Sequence, residues 1–170
     1  VVVPTINRQF WSNSISGIEN AAYQQGYKVM IFQSAESLQK EIEIVETLAN
    51  SRADGILLAL SKETNSYEHI QSIIDRGIPV LLFERVCSEI NTSKVITDDL
   101  NGAKEVVQHL IDRGKKRIAY LSGPMSLGVC EDRLTGYKNA HAENQLNYDP
   151  SLLLETDEFT YEAAEKALKY

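Results

Sequence analysis

The sequence predicts an α/β protein built on parallel sheets flanked by helices. Three observations carry this. Short apolar, β-rich runs alternate with segments of helical period along all 170 residues. The runs are continuously apolar, as strands buried on both faces are. The spacing between them leaves room for a crossover helix, which makes right-handed βαβ units. At about 150 residues per domain, the length allows one domain or two small ones.

The elements follow in order. Strands are expected at Val1–Val3, Lys28–Phe32, Gly55–Leu60, Pro79–Phe83, Val95–Thr97, Arg117–Leu121 and Leu152–Leu154. Between them, Ile15, Ile18, Ala21 and Ala22 fall on one helical face that stops at Gly26. Leu38, Ile42, Val45, Leu48 and Ala49 make a second stripe, with Glu and Lys on its other side. Ile70, Ile73 and Ile74 make a third, closed by Gly77 and then Pro79. Ala103, Val106, Val107, Leu110 and Ile111 make a fourth, ended by Gly114. A fifth helix is expected from Glu131 to Ala142, and a sixth from Tyr161 to Leu168.

Composition narrows the function. Seventeen basic against 24 acidic residues give a net charge of −7, which repels phosphate and speaks against nucleic-acid binding by these residues themselves. The longest apolar run is far too short for a bilayer span. No cationic and apolar leader opens the chain, and Cys87 and Cys130 form no CxxC pair, so a reducing, cytoplasmic setting is expected. No GxGxxG, no GxxxxGK[ST] and no GxSxG occurs. The histidines His69, His109 and His141 lie too far apart for one helix face, and no metal or cofactor is expected. Nothing here calls for an enzyme. Val1–Val3 begins without a preceding cap and Tyr170 stops inside a helical pattern, so the chain reads as an internal piece of a longer one.

Four places carry candidate chemistry. Phe10-Trp11 follows the first strand in a polar loop, just ahead of the first helix. It is either a hydrophobic staple or core anchor, or a stacking platform for the apolar face of a ligand. Glu84 ends the fourth strand with no clear helix behind it, where its carboxylate can accept from hydroxyl or amine donors. One of Asp98 and Asp99 reads as an N-cap. An acid–base pair of Glu84 and Asp98 needs at least one raised pKa. Arg133 stands near the start of the fifth helix, where the macrodipole disfavours a cation. It therefore needs a carboxylate, such as Glu131 or Asp132, or a bound ligand.

These residues sit in recognisable surroundings. VVVPTINRQFWSNSISGIENAAYQQGY resembles the opening of the effector domain of LacI/GalR-type bacterial transcription regulators. RADGILL, GIPVLLFER, ITDDLNGA, HLIDRGKKRIAYLSGP and EDRLTGYKNA then follow in that family's order. The resemblance implies two Rossmann-like lobes of the periplasmic-binding-protein type I, with a small effector, a carbohydrate, between them. It implies a helix-turn-helix domain, absent here, that binds operator DNA, and a homodimer. The first lobe should span residues 1–98, and the second, incomplete here, 99–170. By the same resemblance Phe10 and Trp11 match the aromatic pair that packs on effector. Glu84 matches the position, usually Asp, that meets sugar hydroxyls. Arg133 matches the arginine that grips effector from the second lobe. Leu127 and Val129 are apolar where the family is often polar, which speaks against a purine-like or heavily hydrogen-bonded effector. The alternative is a periplasmic sugar-binding protein of a transport system, though the HLIDRGKKRIAYLSGP stretch is more similar to the repressors.

Overall fold

The computed structural model describes residues 1–169. They divide into two compact units, Val1–Ile96 and Thr97 onward.

The first unit is a five-stranded parallel sheet in the order β2-β1-β3-β4-β5. Its strands are β1 (Val2–Val3), β2 (Phe32–Gln33), β3 (Ile56–Leu58), β4 (Val80–Phe83) and β5 (Ser93–Val95). Helices α1 (Gln9–Gln24), α2 (Leu38–Asn50) and α3 (Glu68–Asp75) connect the first four. Successive strand side chains point to opposite faces, so one pair of residues per strand serves two cores. Val2, Leu58 and Leu82 pack with Val45 and Leu48 of α2 and with Ile70 and Ile73 of α3. Their neighbours Val3, Ala59 and Phe83 pack with Trp11 and Ile15 of α1. Burial on both faces is the reason the strands read as unbroken apolar runs.

Helix α3 stops where the sequence says it should. Gly77 takes φ +82°, a left-handed conformation that costs glycine nothing. Its N–H reaches the Ile74 carbonyl at 2.9 Å, and the Ile78 N–H reaches Ile73 at 3.2 Å. Two otherwise orphaned carbonyls are thereby satisfied.

The second unit pairs β6 (Tyr120–Ser122) with β7 (Leu153–Glu155), again parallel. It also carries α4 (Asp99–Asp112), α5 (Gly128–Glu143) and α6 (Tyr161–Leu168). Its core gathers Val107, Ile118, Tyr137 and Ala140, with Tyr120 and Tyr148 partly buried against them. The Tyr137 hydroxyl, deep in that core, donates to the Ile118 carbonyl at 2.8 Å.

Three expectations need correction. Strand β2 lies at Phe32–Gln33, not Lys28–Phe32, because the ladder pairs Val2 with Phe32 and Val3 with Gln33. Strand β5 pairs Ser93–Val95 with β4 and is exposed throughout, so the apolar Val95–Thr97 run misplaced an edge strand. Phe10-Trp11 is not in a loop but in the first turn of α1. The polar run Ser12-Asn13-Ser14 hid the helical period, yet Trp11 and Ile15 sit four residues apart on the buried face.

Asp98 is the N-cap of α4, as read. Its carboxylate accepts from the Asn101 side-chain amide at 2.8 Å and the Asn101 N–H at 3.2 Å. Those bonds hold its pKa below the ordinary 3.8. A lowered folded pKa adds stability above the ordinary value, and that stability is lost as pH falls through the folded one. Amide exchange at Asn101 and Gly102 should therefore accelerate below about pH 4. Asp98→Asn should flatten that profile; an unchanged profile would show that another group is responsible. A lowered pKa is also the opposite of what a general acid needs.

Candidate functional site

In an open parallel sheet, ligands are met at the carboxyl ends of the strands. In the first unit those ends are crowded with polar groups. After β1, α1 opens with Phe10 and Trp11. Phe10 is 47% exposed, whereas Trp11 is 2% exposed and belongs to the core. Their rings stand edge to face at 5.1 Å, and Phe83 closes on Trp11 from 6.0 Å. Of the two readings of this pair, the core anchor describes Trp11, and Phe10 presents the open ring.

After β2 come Ala35 and Glu36, both left-handed at φ 53° and 63°. After β4 comes Glu84, at φ 59°. None of the three is glycine, and strain of this kind persists only where the surroundings over-determine it. Arg85 touches the side chains of two of the three. Its Nη1 sits 2.6 Å from Glu36 Oε2 and reaches the Leu60 carbonyl at 3.4 Å. Its Nε lies 3.3 Å from Glu84 Oε2, and its guanidinium carbon lies 5.6 Å from the centre of the Trp11 ring. The Lys62 N–H donates to the same Glu36 oxygen at 2.9 Å.

Behind this edge lies a buried carboxylate. Glu41 Oε2 accepts from the Ser61 N–H at 2.7 Å and lies 2.8 Å from Ser61 Oγ. Its Oε1 accepts from Thr64 Oγ1 and lies against His69 Nε2, each at 3.0 Å. The turn after β3 is thus pinned to α2.

In the second unit, Arg133 lies in the second turn of α5. Its Nε is 2.6 Å from Asp99 Oδ1; the arginine side chain is 44% exposed and the aspartate 10%. The compensating carboxylate is therefore neither Glu131 nor Asp132. Arg133 also lines a cavity of about 330 Å³ together with Tyr120, Ser122, Thr156, Glu158 and Phe159. Thr156 Oγ1 donates within this wall, lying 2.9 Å from the Ser122 carbonyl and 3.0 Å from that of Glu158. Burial pushes the Tyr120 phenol above its ordinary pKa, so it enters the site as a hydroxyl. A second cavity, about 540 Å³, lies at the amino ends of the first sheet among Ile18, Ala22, Tyr27, Leu48 and Leu57. Its lining also carries Lys28, Ser51, Arg52, Asp54 and Ser93, away from the carboxyl ends where ligands are met.

Phe10, Trp11 and Glu84 are thus linked through Arg85, while Arg133 belongs to the other unit with Asp99. Arg85, Glu36, Tyr120 and Thr156 were not singled out from the sequence. For Arg85 a signal existed: it directly follows the candidate carboxylate at the end of a strand. Among the described residues no group of three or more metal-ligating side chains gathers, and no helix is long and apolar enough to cross a membrane. Burial raises the Cys87 thiol above its ordinary pKa, which leaves it a poor nucleophile.

Residues 1–169 match the family model for periplasmic binding proteins and the sugar-binding domain of the LacI family. The HTH-type transcriptional repressor CytR of Escherichia coli K12 is 32% identical over 171 residues, covering 99% of this chain and 49% of that protein. The transcription regulator CcpA of Lactococcus lactis superposes with a TM-score of 0.83 at 25% identity, over 99% of this chain and 63% of that one. A complex of the transcriptional regulator CelR with cellobiose superposes at 0.82, also at 25% identity, over 99% and 53%. The chain spans about half the length of the curated relatives it matches.

Proposed function

Because the chain belongs to the family of periplasmic binding proteins and LacI-type sugar-binding domains, we propose that it is the ligand-sensing part of a bacterial transcription regulator. It binds a small carbohydrate and does no catalysis. The observation that carries this reading is the Arg133 cavity: a cation held by Asp99 at 2.6 Å, beside hydroxyls and an aromatic ring, at the carboxyl ends of β6 and β7. Such a mixture of ring face, hydroxyl and charged donors suits a polyhydroxyl ligand. Residues 1–98 and 99–170 act as its two lobes. Phe10 and Glu84 from the first, backed by Trp11, and Arg133 from the second are the proposed contacts.

The regulator works in the cytoplasm as a homodimer and meets operator DNA through a helix-turn-helix domain outside these residues. Its 32% identity to a repressor supports a gene switch over a transport component. A sugar can control DNA binding only by binding one arrangement of the regulator better than another.

The test is calorimetry on the intact regulator with cellobiose, D-glucose and D-ribose. Arg133→Ala should weaken binding of the preferred sugar by about 1.5–3 kcal/mol, the worth of a charge-assisted hydrogen bond. Arg133→Lys should recover part of it. Unchanged affinity in Arg133→Ala would make the arginine structural and remove it from the site.

A further inference from the structure

The proposed contacts make no use of the buried Arg85 guanidinium. Arg85 is 5% exposed. Stripping a guanidinium of water is costly, and an apolar side chain of similar volume often holds a fold as well or better. The partners show what its charge is for. They lie in the four segments that leave β1 to β4: Trp11 after β1, Glu36 after β2, the Leu60 carbonyl after β3 and Glu84 after β4. Two of those four, Glu36 and Glu84, are held left-handed without being glycine. One planar, forked side chain therefore ties together the carboxyl ends of four of the five strands of the first sheet. A lysine cannot do this, since it offers a point charge without the flat face and fixed fork.

We propose that Arg85 is a positioning residue for effector recognition. Resting on the reading above, it fixes the Glu84 carboxylate as an acceptor and the Trp11 ring as the backing of Phe10. A sugar then meets a preset pair instead of two side chains that must first be ordered, and that ordering is a cost the bound state need not bear.

The test uses the full chain, whose single tryptophan is Trp11, as wild type and as Arg85→Lys, Arg85→Met and Glu36→Gln. In Arg85→Lys the melting temperature should stay near that of wild type. Its Trp11 emission should shift and its acrylamide quenching rise. Calorimetry on the intact regulator carrying the same change should show affinity for the best of cellobiose, D-glucose and D-ribose falling about tenfold or more. Glu36→Gln should shift the emission in the same direction by less. A lowered melting temperature with unchanged emission and unchanged sugar affinity would mean that Arg85 merely holds the fold, and would overturn the proposal. Arg85→Met strands two carboxylates and need not fold; Arg85→Lys and Glu36→Gln then decide. A wild-type regulator that binds none of the three sugars counts against the effector reading. Unaltered Trp11 emission in Arg85→Lys counts against Arg85 alone.

Discussion

Replacing Glu41 with alanine is expected to destabilise the first unit by about 3–5 kcal/mol, the usual result of removing one partner from a buried polar cluster. The carboxylate is 0% exposed. Its two oxygens serve four groups: the Ser61 N–H, the Ser61 and Thr64 hydroxyls and His69 Nε2. Alanine removes all four acceptor positions, and each buried donor left unpaired costs about 1–3 kcal/mol. Partial relaxation keeps the sum below four full penalties.

His69 sharpens the argument. Its Nδ1 is buried and has no hydrogen-bond partner among the described residues. In the tautomer with its N–H on Nε2 the ring donates to Glu41, so removing the carboxylate leaves this ring without either partner. Glu41→Gln keeps the shape but turns an NH₂ toward donors, so it should lose roughly half as much. Urea unfolding checks both: the midpoint should fall while the slope stays constant. Amide exchange at Ser61 should accelerate before the rest of the unit does, because the pinned turn opens first. A loss under about 1 kcal/mol for alanine would mean that water replaces the carboxylate and that the cluster is not sealed.

What the sequence revealed tracks how local the cause is. Helix α6 lies at Tyr161–Leu168 as read, and α2 differs from its stripe only by Asn50. Caps and a 3.6-residue period are written in adjacent residues. Strands came out shorter than their apolar runs, since a strand ends where its partner's ladder ends, and that partner is remote in sequence. The site divides in the same way. The proposed contacts Phe10, Glu84 and Arg133 stand out because each is an odd residue in its own neighbourhood. Trp11 was equally odd, yet its ring belongs to the core, which depends on Val3, Ala59 and Phe83 arriving from three strands. Arg85 stands next to Glu84 in sequence, but its other contacts were hidden. Its partners Glu36 and Leu60 lie 49 and 25 residues away and meet it only through sheet order. Arg133 reads as needing a carboxylate or a bound ligand, and local reading offers Glu131 and Asp132 for the carboxylate. The actual partner, Asp99, is 34 residues distant.

That last pairing depends on how closely α4 and α5 approach, and Gly136 sets the approach. A Cβ at this position would collide with the Leu100 carbonyl oxygen, come within 2.9 Å of the Lys104 nitrogen and touch the Ala103 Cβ at 3.1 Å. Two of those obstacles are backbone atoms of a helix, which cannot swing aside as a side chain can. Gly136→Val must therefore push α4 and α5 apart, at an expected cost of about 3 kcal/mol or more to the second unit. Gly136→Ala should cost about 1–3 kcal/mol. A helix-propensity argument alone predicts the reverse, because alanine favours a helix interior by about 1 kcal/mol over glycine. The sign of the measured change thus decides between crowding and propensity. Separation also reaches the site. Arg133 rides on α5 one turn before Gly136, and Asp99 opens α4 one residue before Leu100. Helices held further apart stretch the 2.6 Å pair and leave the Asp99 carboxylate, 10% exposed, without its cation. Gly136→Ala should then weaken sugar binding by the intact regulator even at temperatures where the variant is fully folded. Full affinity in a folded Gly136→Ala would show that Arg133 holds its ligand without help from Asp99.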